Sequence, residues 1–237
     1  MRSLQIVTPH IKCIYNCPFC IAKAHKHNNK FINNYSNNFN YWKNSLIKVI
    51  KDNPLLAYVV ITGTNEPMQS KDCVMDIINI VRETNPNIQL EIQTHYYKEN
   101  DIYRKLDVVA YSIPYFDLLK NIKPCGNTNR FVIILTDAYN GHSLEEILSI
   151  IPKNVTQVTF KVLHDSNGIN NVVDDYISKH SIDSNDLDKL RRDILNYNGN
   201  LSIRLDETCM DAKDRYKIFR EDGNLYDDWE QEKVWKK

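Results

Sequence analysis

Apolar positions along the chain follow two alternating rhythms. Short runs rich in β-branched and aromatic residues predict seven strands: Leu4–Val7, Ala57–Ile61, Gln89–Gln93, Val108–Ser112, Phe131–Leu135, Gln157–Val162 and Leu201–Leu205. Stripes at helical spacing lie between them. Trp42, Leu46, Val49 and Ile50 share one face, and Val74, Ile77, Ile78 and Val81 share another behind Ser70 as N-cap. Ser143 with Glu146 three positions on predicts a capping box, and Leu187, Leu190 and Ile194 line a further helix expected to stop at Gly199. Strands alternating with helices are the signature of βαβ units and a parallel sheet.

An eight-unit barrel needs about 250 residues, and the chain has 237. The expected fold is therefore α/β: a partial (β/α)6 TIM-like barrel over residues 1–205, then a small C-terminal extension over 206–237. In the extension, Tyr216–Arg220 and Leu225–Tyr226 flank Asp222-Gly223, which predicts a β-hairpin. Its apolar side chains need a surface, and the expected one is the edge beside the last strand, where the hairpin would wall one side of a substrate site. The segment Lys23–Asn44, rich in Asn, Lys and aromatics, reads as a polar loop that could order over a ligand.

Composition narrows the function. With 30 basic and 30 acidic side chains the formal charge is zero, which disfavours bulk nucleic-acid binding. A chain that is 42% hydrophobic and 25% charged is globular, not disordered or coiled-coil. No apolar run approaches the roughly 20 residues that span a bilayer, and the start breaks at Thr8-Pro9-His10 before a signal peptide could form. A soluble, cytoplasmic protein without a membrane partner is expected.

Of six cysteines, Cys13, Cys17 and Cys20 crowd into the loop after the first strand, while Cys73, Cys125 and Cys209 are scattered. In a reducing compartment such a cluster reads as a metal site, and barrel enzymes keep their active sites at this end of the strands. A four-iron cluster held by three thiols leaves one iron open to a further ligand. Zinc is the alternative, with His25 or His27 as a fourth ligand, in a noncatalytic or redox-sensing α/β module, although no second C-x2-C pair follows.

The run Cys13-Ile14-Tyr15-Asn16-Cys17-Pro18-Phe19-Cys20 resembles the C-x3-C-x-aromatic-C signature of the radical S-adenosylmethionine (radical SAM) superfamily, with Cys13, Cys17, Phe19 and Cys20 matching position by position. The resemblance implies a [4Fe–4S] cluster on the three cysteines, with S-adenosylmethionine (SAM) chelating the fourth iron. It further implies reductive cleavage to a 5′-deoxyadenosyl radical that abstracts a substrate hydrogen, a one-electron donor such as flavodoxin or ferredoxin, and Phe19 beside the adenine. After the second strand, Gly63-Thr64-Asn65-Glu66-Pro67 is similar to the family's Gly-Gly-Glu-Pro motif, which receives the SAM ammonium, though Thr64-Asn65 stands where the family has one glycine. Glu66 is the expected partner of that ammonium, a charge-assisted pair. The later G-x-I-x-G-x-x-E pattern of some members is not visible in Phe131–Asp137. Cys209 alone is too little for an auxiliary cluster.

At the strand ends stand Ser112, expected on the cofactor side, and His95, Thr136, Lys161, His164, Arg204 and Asp206, expected toward substrate. Lys161 and Arg204, cations among apolar strand residues, want an anion, which Asp206 or a substrate carboxylate or phosphate would supply. The expected substrate is a small molecule, anionic or nucleotide-like.

Overall fold

Parallel strands need a long return connection, and the helical segments between the apolar runs supply it. The computed structural model describes residues 1–24, 31–207, 216–227 and 229. Its strands are β1 (Ser3–Val7), β2 (Tyr58–Thr62), β3 (Gln89–Thr94), β4 (Val108–Ile113), β5 (Thr128–Leu135), β6 (Val155–Val162), β7 (Ser202–Asp206), β8 (Lys217–Phe219) and β9 (Leu225–Tyr226). The helices are α1 (Ile21–Ala24), α2 (Asn34–Asn37), α3 (Phe39–Lys51), α4 (Lys71–Thr84), α5 (Leu144–Ser149), α6 (Asn171–His180) and α7 (Ser184–Leu195). One mostly parallel sheet runs in the order β7-β6-β5-β4-β3-β2-β1-β8-β9, open at β7 and β9. The α/β expectation is met, and the sheet does not close into a ring. From β1 to β7 the order never reverses, so with right-handed crossovers every connection falls on one face. A doubly wound sheet would need a reversal.

Strand alternation separates the two faces. Leu4, Ile6, Val59, Ile61, Leu90, Ile92, Phe131 and Phe160 are buried in one core with Trp42, Leu46, Val74 and Ile77 of α3 and α4. The intervening positions carry a polar ladder instead. Arg130 grips Glu91 with both carboxylate oxygens at 2.9 and 2.8 Å and donates through Nε to Gln157 at 2.7 Å. Arg204 Nε donates to Thr159 Oγ1 at 3.0 Å.

The extension forms the expected hairpin, but at the other edge of the sheet. β8 pairs in parallel with β1, Gln5 opposite Ile218, and β9 returns antiparallel to β8. The placement beside β7 is corrected for a physical reason: β7 offers exposed Ser202 and Arg204 at its edge, whereas β1 offers apolar partners. Ile218 and Tyr226 bury with Val7, and the Phe219 ring packs at a tilt against Trp42, centroids 5.5 Å apart. The Arg220 guanidinium lies over Phe31, Tyr226 and Trp229 at 4.5, 5.4 and 5.2 Å. Gly223 closes the turn at φ 81°, the left-handed region that favours glycine.

Four local expectations change as well. The supposed loop Lys23–Asn44 contains α2 and the start of α3, because its asparagines act as caps: Asn33 Oδ1 accepts from Ser36 N–H and Asn38 Oδ1 from Tyr41 N–H. Residues 25–30, with His25 and His27, lie outside the described residues. Ser70 stands at the N-cap of α4 without a side-chain capping bond. Ser143 Oγ accepts from Glu146 N–H at 3.1 Å, but the Glu146 carboxylate turns to His142, so the box is half-formed. α7 stops at Leu195, and Gly199 makes room for Tyr197, whose hydroxyl lies 2.2 Å from where a Cβ would sit.

Candidate metal and cofactor site

Because β1 to β8 are parallel, the loops after β1, β2, β3, β4, β6 and β8 gather along one edge of the sheet. The loop from Thr8 to Phe19 has no regular helix or strand, and neighbours hold it at several points. Thr8 N–H continues the ladder to Thr62 O at 2.9 Å. The His10 ring meets Thr64 Oγ1 at 2.9 Å, Gln69 Oε1 accepts from Ile14 N–H at 2.9 Å, and Gln69 Nε2 donates to Lys12 O at 3.0 Å. The cysteine loop and the Gly63–Pro67 turn, separate in sequence, are thus one hydrogen-bonded unit. Farther along, Lys23 Nζ donates to Asn16 Oδ1 and Cys17 O at 2.6 and 2.9 Å. Phe19 packs against Val173 and Ile177 of α6, its ring 6.2 Å from Tyr176.

Cys13, Cys17 and Cys20 are free, partly exposed thiols. Burial, with the neighbouring Cys20 and Cys13, pushes the Cys17 thiol up to about 11. Thiols that oppose one another's ionisation in this way are the donors a cation would stabilise as thiolates. Among the described residues no three Cys, His, Asp or Glu side chains are already gathered as an ion site. The donor set, three thiols on a loop with no regular helix or strand, fits an iron–sulfur cluster in chemistry; metal binding commonly orders its own ligands. Cys209 lies outside the described residues. Cys73 is buried in the core, and Cys125 lies 3.9 Å from the Tyr111 hydroxyl.

In the Gly63–Pro67 turn, a Cβ on Gly63 would lie 2.8 Å from Thr8 Oγ1 and 3.3 Å from Asn65 Oδ1, which explains the glycine. Thr8 Oγ1 and Asn65 Oδ1 are themselves buried without a hydrogen-bond partner among the described residues. An orphaned hydroxyl and an orphaned carbonyl oxygen beside one glycine form a polar cradle. Glu66 is buried and already accepts three bonds, from Met68 N–H at 3.0 Å, Thr94 Oγ1 at 2.7 Å and His95 N–H at 2.7 Å. It caps the one-turn helix Pro67–Gln69, with Pro67 at the first helical position. Burial pushes its carboxyl up while these bonds pull it down. Of about four lone-pair sites on a carboxylate, three are engaged and one on Oε2 is left. Glu66→Gln puts an amide N–H2 where donors already converge, and is expected to lower unfolding free energy by about 1.5–3 kcal/mol, read by urea denaturation. A change below about 0.5 kcal/mol would contradict the three-bond bracing, since that is the ordinary range of an unbraced surface substitution.

The remaining strand-end residues divide. His95 lies between two tyrosines, its ring 4.7 Å from Tyr15 and 5.0 Å from Tyr97, so β3 also touches the cysteine loop. Burial lowers its pKa. Its neutral form therefore contributes stability above the unfolded value, and this is lost as pH falls below it toward the folded one. Replacing His95 with Phe should flatten the fall in melting temperature between about pH 7.5 and 5.5, a window set around the ordinary His value of about 6.5. An unchanged slope would place the titration elsewhere. Ser112 gives its carbonyl to the Tyr97 hydroxyl at 2.5 Å. Thr136 is buried and donates to Pro114 O at 2.9 Å, tying the loop after β4. Lys161 pairs with Asp206 at 3.3 Å. His164 Nε2 is buried without a partner among the described residues, and burial, then Lys161, lowers the ring's pKa.

Residues not anticipated from sequence are Thr8, His10, Gln69, Tyr15 and Tyr97. Thr8 and His10 had a readable signal, polar side chains between an apolar strand and the cysteines; Gln69 and Tyr97 had none. No family model matches the chain, and no curated protein matches it.

Proposed function

We propose that this chain is a radical SAM enzyme, with Cys13, Cys17 and Cys20 as the ligands of a [4Fe–4S] cluster. The observation that carries this reading is the contact between the two motifs: the cysteine loop is hydrogen-bonded to the Gly63–Pro67 turn through Thr64 and to the one-turn helix that continues it through Gln69. When bound, the cluster and SAM supply one-electron cleavage of SAM and hydrogen abstraction from substrate.

The chain's own groups do the holding. Thr8 Oγ1 and Asn65 Oδ1 offer buried oxygen atoms suited to an ammonium, and Glu66 keeps one lone pair free on Oε2. Gly63 keeps the site open to close approach. Phe19, with Tyr176 and Val173 behind it, gives the loop an apolar flank on which a planar base can lie. Lys161, Asp206 and Arg204 face the polar side of the sheet, where a small anionic substrate would find cations. The neutral whole-chain charge favours a small substrate over a polyanion, and a flavodoxin- or ferredoxin-like donor would supply the electron.

We read the open sheet as a partial (β/α)6 barrel because the strand order from β1 to β7 never reverses, the order in which barrel strands follow one another.

Anaerobically reconstituted, dithionite-reduced protein is expected to convert SAM to 5′-deoxyadenosine and methionine, followed by chromatography. Uptake of zinc in preference to iron, or no 5′-deoxyadenosine from iron-loaded protein, overturns the reading.

A further inference from the structure

The hairpin turn carries two adjacent buried acids, and their bonding differs. Asp222 is satisfied inside its own turn: its carboxylate accepts from Asn224 N–H at 3.0 Å, Asn224 Nδ2 at 3.0 Å and the Tyr226 hydroxyl at 2.5 Å. Glu221, only 7% exposed, sends its carboxylate out of the hairpin to accept the backbone N–H of His10, 211 positions away. A buried carboxylate costs several kcal/mol to desolvate, so one whose side-chain hydrogen bond leaves its own turn has its use in what it reaches.

The turn is anchored well enough to serve as a fixed point. Trp42 Nε1 donates to Arg220 O at 3.1 Å, Tyr35 N–H to Glu221 O at 3.0 Å, and Asn34 Nδ2 to Asp222 O at 2.8 Å. His10, in turn, holds Thr64 with its ring while its N–H holds Glu221. One residue thus bolts the start of the cysteine loop to both the hairpin and the Gly63–Pro67 turn.

We propose that Glu221 is the positioning residue of the cysteine loop: through the His10 backbone the C-terminal hairpin fixes where the loop leaves β1, and so where Cys13, Cys17 and Cys20 stand against the Gly63–Pro67 turn. The loop's role as a cluster loop rests on the function proposed above; the mechanical link does not.

The test uses the full chain without metal. Labelling by N-ethylmaleimide is followed cysteine by cysteine by mass spectrometry, with buried Cys73 reporting global unfolding and Cys125 as an internal standard. Glu221→Ala is expected to raise Cys13 labelling about tenfold relative to Cys125, the equivalent of about 1.4 kcal/mol of lost anchoring, with Cys73 still protected. Glu221→Gln, whose carbonyl accepts the same N–H, is expected to stay close to the parent. Parent-like labelling in the alanine variant overturns the proposal, as does a glutamine variant that behaves like alanine. If the alanine variant exposes Cys73, hydrogen exchange of the His10 amide in the unaltered chain decides: slow exchange supports the link, and exchange at the free-peptide rate overturns it. None of these readouts involves iron. Failure to load iron sinks the enzyme reading alone, while unchanged labelling beside normal iron loading sinks the Glu221 proposal alone.

Discussion

Replacing any one of Cys13, Cys17 or Cys20 with alanine is expected to reduce bound iron from about four per chain, the content of a [4Fe–4S] cluster, to background. Cys73→Ala and Cys125→Ser should keep it. The reason is ligand count: with three thiols on one short loop, loss of any one leaves two, and two do not hold a four-iron cluster. Cys17 is pushed up to about 11 by its burial and by Cys20 and Cys13 beside it. Iron must therefore displace a proton, and loading should be faster at pH 8.5 than at pH 7, because the thiolate fraction rises as pH approaches the thiol's pKa. Iron and sulfide assays on each variant check this. Full iron content in the Cys13→Ala protein would remove the assignment, and slower loading at the higher pH would show that thiol ionisation does not limit assembly.

Trp42→Ala is expected to cost about 3–5 kcal/mol of unfolding free energy, the range for emptying a large aromatic site. Trp42 is fully buried, packs its ring on Tyr35, Phe39 and Phe219, and donates to Arg220 O. With Tyr41 and Ser45, which lie against Gly223, it ties α3 to the hairpin. Trp42→Phe keeps most of the packing and loses the indole N–H, so it should cost about 1 kcal/mol for the hydrogen bond plus the smaller ring. Urea denaturation of both variants separates packing from hydrogen bonding. A Trp42→Ala cost under about 1 kcal/mol, well below the cavity range, would mean that the hairpin does not pack on α3 as described.

Much of the framework was legible in the chain. The seven parallel strands fall on the apolar runs within a residue or two at most ends, since strand periodicity and the stripes of α3 and α4 are local properties. The Asp222-Gly223 hairpin was legible for the same reason: a glycine at positive φ is a steric requirement of a few neighbouring atoms. The Asn-rich stretch misled because asparagine favours both turns and N-caps, and only the following apolar register at Trp42 and Leu46 separates the two. The cysteines and Glu66 were visible as residue types, but the company they keep was not.

Local sequence determined which segments become strands, helices and turns, and which chemical groups crowd the loop after β1. It also placed polar residues on one side of β3, β5, β6 and β7, because alternation along a strand sets its faces. Tertiary structure alone decided which sheet edge takes the hairpin and that Glu66 braces Met68, Thr94 and His95, and among the anions the sequence offered to Lys161 it chose Asp206. It alone brought Glu221 to His10, and Thr8 with Asn65 to Gly63. Periodicity records how a residue sits relative to its near neighbours in the chain. The choice of an edge or of a buried hydrogen-bond partner is a competition among groups tens to hundreds of positions apart, settled by which pairing leaves the fewest apolar surfaces wet and the fewest buried polar atoms alone.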